Sequence, residues 1–133
     1  MAQRKQVQGM SAHATSLSSN ALVDLREKLR KFAAEREWDQ FHSPKNLAIA
    51  LSVESAELLE HFQWMTDEKS RELQSEQRAA VAKEMADVLL YLIRLADKLH
   101  VDLMDAAETK LIENAQKYPV EKARGSSKKY TEL

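Results

Sequence analysis

Turn-forming residues are scarce in this chain, and this scarcity limits the possible folds more than any other feature. Only 2 glycines and 2 prolines occur among 133 residues. β-Sandwiches and barrels use such residues at their many turns, so the composition disfavours both classes. The length fits one domain that can bury a core of its own. The composition therefore predicts an all-α protein.

The charge balance and the cysteine content narrow the classes of partner. Lys and Arg number 20 against 21 Asp and Glu, so no excess of positive charge can drive binding to nucleic acid or anionic lipid. No run approaches the roughly 18 consecutive apolar residues that a membrane span needs. The chain has no cysteine, which excludes disulfide and thiol chemistry and permits a reducing compartment. We expect a cytoplasmic protein that binds neither nucleic acid nor membrane.

Apolar residues at helical spacing predict four helices with short breaks between them. Each starts at a residue that favours a helix N-terminus, and these residues are Ser19, Ser43 before Pro44, Ser75 and Asp102. The second, third and fourth helices are expected to end at about Gln63, His100 and Tyr118.

The two ends of the chain differ from this helical region. Residues 1–19 are rich in Gln, Ser, Ala and Thr and contain no acidic residue. They are predicted to form a disordered leader, with an organelle presequence as the alternative. Residues 20–120 are predicted to form the helical domain, and residues 121–133 an irregular tail.

Two of the predicted helices carry pairs of acids on faces that otherwise look buried. On a helical wheel, Glu54 and Glu57 share the apolar arc of the second helix, and Glu84 and Asp87 share that of the third. Buried charge is costly unless it is compensated, and the basic residues Lys83 and Arg94 are expected only toward the edges of these arcs. A divalent cation would compensate the charge, and an all-carboxylate ligand set indicates Mg²⁺ or Mn²⁺. The alternative is surface or inter-helix ion pairing.

The ligand pattern disfavours di-iron chemistry and favours phosphate chemistry. A di-iron bundle needs Glu-x-x-His on two helices, whereas Glu57 and Asp87 stand at the corresponding positions and His61 follows Glu57 by four residues. Magnesium commonly binds through carboxylates together with substrate phosphates and can supply an activated water. Lys110 and Asn114 on the fourth helix are candidate phosphate contacts, although cations near a helix C-terminus commonly complement the macrodipole alone.

Aromatic residues flank the second helix. Trp38 and His42 precede it and Trp64 follows it, and a flat base can stack on such rings for about 1–3 kcal/mol. The alternatives are that the tryptophans fill the core or a dimer contact and that His42 is a cap. Apolar residues also lie on the opposite faces of the second and third helices, where a subunit interface or the chain itself must cover them: Ile49, Val53, Leu89 and Ile93.

An ordered series of motifs resembles the all-α nucleoside triphosphate pyrophosphatases of the MazG-like superfamily, in particular their dCTP pyrophosphatase branch. Glu54, Glu57, Glu84 and Asp87 match the superfamily signature, E-x-x-E followed by E-x-x-D. Further similar segments are residues 32–42, 60–64, 87–92, 110–119 and 123–133, and the similarity covers about residues 22–133. In two departures, Leu29 stands where the eukaryotic branch places a histidine, and Ser55-Ala56 replaces a more usual Val-Gly.

The resemblance implies a four-helix bundle assembled as a dimer of dimers, a homotetramer in which a neighbouring chain helps to complete each pocket. It implies a Mg²⁺ site formed by the four acids of the signature. It also implies nucleotide contacts from Trp38, His42, Trp64 and Tyr91, and phosphate contacts from Lys110 and Asn114.

Taken together, these features predict a Mg²⁺-dependent pyrophosphohydrolase. It would cleave dCTP, or a modified cytosine deoxynucleotide, into the monophosphate and pyrophosphate and so clear unwanted nucleotides. Glu54, Glu57 and Glu60 are the candidate catalytic residues, with Glu54 or Glu60 orienting the attacking water. The alternatives are a dUTP or broad-specificity pyrophosphatase and a helical interaction module whose acids serve only assembly.

Overall fold

The protein is helical throughout the described range. The computed structural model describes the backbone of residues 11–133 and the side chains of residues 21–133, and this range contains no strand. Its helices are α1 (Ser11–Glu35), α2 (Pro44–Glu60), α3 (Asp67–Arg71), α4 (Ser75–Lys98), α5 (Leu103–Lys117) and α6 (Val120–Ala123), with 3₁₀ turns at Trp38–Phe41 and Tyr130–Glu132. The predicted all-α class is confirmed, and the four predicted helices correspond to α1, α2, α4 and α5.

The chain divides into two compact units after Leu99. The first contains α1 to α4, and the second contains α5 and α6. None of the helices in the described part of the chain is long and apolar enough to cross a membrane.

Two of the predicted helix caps are confirmed. The Ser43 hydroxyl accepts a hydrogen bond from the Asn46 backbone N–H at 3.1 Å, and Pro44 follows it at the first helical position. The Asp102 carboxylate accepts from the Asp105 backbone N–H at 3.0 Å.

The other two predicted caps are wrong. Ser75 lies inside α4 and Gln74 precedes the helix, because the Gln77 side chain reaches back to accept from the Gln74 backbone N–H at 3.1 Å. Helix α1 begins at Ser11, so Ser19 lies within it. Residues 11–19 of the predicted leader thus belong to α1, while residues 1–10 lie outside the described range and their predicted disorder stays a prediction.

Helix α4 is central to the first unit because both α1 and α2 pack against it. The buried apolar residues of this unit come from all three helices: Ala33, Leu47, Val81, Ile93 and Ala96. Ile93 is therefore covered within the chain, whereas Ile49, Val53 and Leu89 are exposed. Side chains on α4 consequently face α2 on one side and α1 on the other.

An ion pair ties α1 to the C-terminal half of α4. Arg30 Nε donates to Asp97 Oδ2 at 2.7 Å, and a second guanidinium nitrogen contacts Oδ1. The Asp97 side chain is only 9% exposed. The Arg30 hydrogen bonds hold the pKa of Asp97 below its usual range, against the opposing effect of burial. This ion pair therefore stabilises the arrangement of α1 on α4 only while Asp97 is ionised.

We expect Asp97→Asn to lower the free energy of unfolding by about 1–3 kcal/mol at neutral pH, because it removes charged hydrogen bonds from a buried carboxylate. The folded-state pKa of Asp97 is lowered from 3.8. The stabilisation is thus complete above that value and is lost as the pH falls through the lowered pKa. Urea unfolding over a pH series measures the difference between wild type and variant, with Asp24→Asn as an exposed control on α1. A difference that stays constant down to the most acidic pH would contradict this assignment.

Candidate functional site

Three of the four predicted metal ligands converge where α2 and α4 pack. One oxygen from each of Glu54, Glu84 and Asp87 lies within 4.8 Å of the others. Glu84 and Asp87 are three residues apart on α4 and so lie on one face, while Glu54 approaches from α2. Oxygens on opposite sides of a Mg²⁺ ion lie about 4 Å apart. Small side-chain adjustments would therefore let one ion contact all three residues.

The electrostatics of this cluster leave it short of positive charge. Burial raises the pKa of the Glu54 carboxyl, and Glu57, Asp87 and Glu84 raise it further. The Oε2 atoms of Glu54 and Glu84 are shielded from solvent and have no hydrogen-bond partner among the described residues. Buried acceptors without partners are costly, so a cation would satisfy them. The all-oxygen donor set fits a hard divalent ion better than zinc.

Glu57 and Glu60 lie at the edge of this cluster. Glu57 is exposed, and it raises the pKa of Glu54 through hydrogen bonding and charge. Glu60 is the last residue of α2, one helical turn beyond Glu57 and also exposed. The structure thus brings three acids together, places Glu57 beside them and leaves Glu60 at the end of the helix.

Of two nearby side chains that can carry positive charge, His61 contacts the acidic cluster and Arg94 forms its ion pairs with other acids. His61 Nε2 lies 3.6 Å from Glu84 Oε1, so this residue contacts the cluster although it is not part of the signature. Arg94 was expected at the edge of the apolar arc of α4, and this expectation is wrong because it is buried and only 5% exposed. Its ion pairs are with Asp39 and Asp97. The spacing of Arg94 and Asp97, one turn apart, is the sequence signal that could have indicated this burial.

A cavity of about 220 Å³ opens beside the acidic cluster between α1 and α4. Asp87 belongs to both features, and the other lining residues are Leu29, Phe32, Ala33, His42, Leu90, Tyr91 and Arg94. Tyr91 stands one turn after Asp87 on α4, so a single helix face connects the two features. Typical small-molecule sites span about 300–1,000 Å³. This cavity is therefore large enough for part of a substrate but not for all of it.

The 3₁₀ turn brings Trp38 to the rim of the cavity. Glu37 has a φ of 54°, a left-handed conformation that ends α1 and redirects the chain. The Trp38 ring packs edge-on against Phe32, with centroids 5.6 Å apart, and against His42 at 6.2 Å. The structure therefore brings together three of the four predicted nucleotide contacts, namely Trp38, His42 and Tyr91.

The remaining predicted substrate contacts are not among the residues that line the cavity. Trp64 follows α2, is 89% exposed and is not among the residues lining the cavity. Lys110 and Asn114 are on α5 in the second unit, where Lys110 Nζ lies 3.3 Å from Glu113 Oε2. Sequence spacing could not show that Leu29 and Phe32 line a cavity, because the same helical stripe is expected for ordinary core residues.

The comparisons with known proteins decide the family. A model of the MazG-like family matches residues 49–133. The chain belongs to the MazG-like family. It is 48% identical over 114 residues to dCTP pyrophosphatase 1 of Rattus norvegicus and 47% identical to that of Homo sapiens. Each alignment covers 84% of this chain and 67% of the relative.

A solved structure supports the same relationship. The crystal structure of a pyrophosphatase from Archaeoglobus fulgidus aligns with a TM-score of 0.67 and 35% identity, covering 86% of this chain and 99% of that one. These comparisons confirm the predicted resemblance to the MazG-like superfamily. They also confirm the predicted enzyme class, a nucleoside triphosphate pyrophosphatase.

We expect Glu54→Gln to raise the melting temperature of the metal-free protein, because it removes one charge from a crowded, partly buried acidic cluster. In domains of this size 1 kcal/mol corresponds to roughly 2–8 °C, and a rise of that order is expected. The same variant should lose most of the thermal stabilisation that added Mg²⁺ gives the wild type.

Differential scanning fluorimetry with and without Mg²⁺ measures both effects. The control is Glu108→Gln, which removes an exposed charge from α5 and should change neither quantity. A metal-free Glu54→Gln protein that melts below the wild type would contradict the repulsion inferred within the cluster.

Proposed function

We propose that this protein is a Mg²⁺-dependent pyrophosphohydrolase that converts dCTP, or a modified cytosine deoxynucleotide, into the monophosphate and pyrophosphate. The observation that carries the proposal is the position of Asp87, which belongs both to the acidic cluster and to the adjoining cavity. A nucleotide with its base in the cavity would thus extend its phosphates toward the carboxylates. The names of the mammalian relatives, dCTP pyrophosphatase 1, support dCTP as the substrate.

The acidic cluster would hold the ion through Glu54, Glu84 and Asp87, with Glu57 as a fourth ligand. When bound, Mg²⁺ would offset the charge of the phosphates and favour an activated water. Glu54, which lies within the cluster, is the first candidate to orient the attacking water. Glu60 is the second candidate for that task. Attack at the α-phosphorus would break its bond to the bridging oxygen and release pyrophosphate.

The cavity would hold the base. Its volume is below that of sites for whole ligands, and three of its lining residues, Phe32, Tyr91 and His42, carry flat rings. Trp38 packs against two of these rings at the rim. Stacking on aromatic side chains contributes about 1–3 kcal/mol per base. Lys110 and Asn114 are the proposed phosphate contacts.

The active form would be a homotetramer, a dimer of dimers, in which a neighbouring chain completes each pocket. Exposed apolar side chains on α2 and α4 support this proposal: Ile49, Val53, Met85 and Leu89. Trp64, which is 89% exposed, is the residue we assign to a pocket shared between chains. The cellular role would be the removal of unwanted nucleotides in the cytoplasm.

Product analysis tests the reaction. With dCTP and Mg²⁺ the wild type should release dCMP and pyrophosphate, and Glu84→Gln should lower kcat at least about 100-fold, because ligand loss removes several kcal/mol of charge stabilisation. Glu108→Gln is the matched control and should retain activity. Release of orthophosphate would refute the bond assignment. Full activity of Glu84→Gln would refute its metal role, and a chain without nucleotide or Mg²⁺ effects would favour an interaction module.

Light scattering coupled to size exclusion tests the assembly. The molar mass should be four times the 15.2 kDa of one chain. Val53→Asp, which places a charge on the exposed apolar face of α2, should yield smaller species, because burying an unpaired charge in an interface is costly. A monomeric wild type that is nevertheless fully active would overturn the shared pocket.

A further inference from the structure

The guanidinium of Arg94 is held by three partners at the edge of the cavity. Its Nε donates to His42 Nδ1 at 3.2 Å, and one terminal nitrogen donates to Asp39. The other terminal nitrogen lies 3.6 Å from Asp97 Oδ2. Two of the contacts of Arg94 are therefore to carboxylates, and the third is to an acceptor nitrogen of His42.

This contact determines where the proton of His42 lies. A guanidinium has donors only, so the His42 Nδ1 that faces Arg94 Nε has to accept. The proton of the neutral ring is consequently on Nε2. Burial lowers the pKa of His42 and the charge of Arg94 lowers it further, against a weaker opposing effect of Asp39. Both influences keep the ring uncharged at neutral pH.

A second contact fixes the segment that carries His42. Asp39 accepts from Arg94 and also from Lys98 Nζ at 2.9 Å. The 3₁₀ turn, which ends immediately before His42, is therefore held against α4 through the carboxylate of Asp39. Position and tautomer of the imidazole thus depend on the same arginine.

We propose that Arg94 is a specificity-determining positioning residue, which holds His42 as a neutral Nε2–H donor toward the base in the cavity. The proposal rests on the proposed function, because it requires a nucleobase in that cavity. A fixed donor selects a base edge that presents an acceptor. Cytosine carries an unprotonated N3 beside its O2 carbonyl, whereas uracil and thymine carry an N3–H that would oppose the donor. Among the pyrimidines, a donor that faces position 3 therefore favours cytosine, and cytosines substituted at carbon 5, over uracil and thymine.

Kinetics on paired substrates tests the role of Arg94. The ratio of kcat/KM for dCTP to that for dUTP should fall roughly 10- to 100-fold in Arg94→Met, the range expected when a buried hydrogen bond is lost. Arg94→Lys, which restores a donor, should recover part of the ratio. Arg30→Gln is the matched control, since Arg30 binds the other side of Asp97 and does not line the cavity. A folded Arg94→Met protein with the wild-type ratio would overturn the proposal.

Nitrogen-15 NMR on the wild type gives a second readout that does not depend on the stability of the variant. Without nucleotide, His42 should show an unprotonated Nδ1 and a protonated Nε2, and His42→Gln identifies its signals. Adding dCMP should shift the Nε2–H signal, and dUMP should leave it unchanged.

Three outcomes would each overturn the proposal. These are the opposite tautomer of His42, a charged ring at neutral pH, and an Nε2–H signal that does not shift when dCMP is added. A response to dCMP alone, in a protein that hydrolyses no nucleoside triphosphate, would uphold this role of Arg94 and refute the proposed function instead.

Discussion

The packing of α2 on α4 has to overcome repulsion between the carboxylates of the acidic cluster, and the rest of the first unit is built around this contact. Helices α2 and α4 pack along a contact that includes Glu54, Glu84 and Asp87, although two of the acid oxygens are shielded and without partners among the described residues. Such an arrangement persists because the apolar contacts of the same helices outweigh the electrostatic cost. The unfavourable charge is thereby built into the folded chain before any ligand arrives. Binding of a cation would be favoured because it removes this cost.

Three cations of this unit pair with carboxylates outside the acidic cluster. Arg30, Arg94 and Lys98 pair with Asp39 and Asp97 at the C-terminal half of α4. Had any of these cations faced Glu84 or Asp87, it would have neutralised the cluster and competed with a metal ion. Two charge systems thus occupy separate stretches of one helix, and each remains distinct because its partners come from a different neighbouring segment.

The sequence pattern was informative where periodicity alone decides the geometry. A spacing of three residues places Glu84 beside Asp87 on any helix, and apolar neighbours indicated that this face is buried. The caps at Ser43 and Asp102 were likewise local and predictable. Arg94 was misjudged because two of its partners, Asp39 and His42, are distant in sequence. The cap at Ser75 was misjudged because Gln77 gave the preceding residue a competing hydrogen bond.

The two walls of the cavity differ in how a substitution would affect the acidic cluster. Its α4 wall includes Asp87 of the acidic cluster, so a substitution there can disturb that cluster as well. Its α1 wall, at Leu29, Phe32 and Ala33, carries none of those acids. Under the proposed function, exchange of α1 side chains would change the base preference and leave the acidic cluster intact. Leu29, which stands where the eukaryotic branch places a histidine, is one of these α1 side chains.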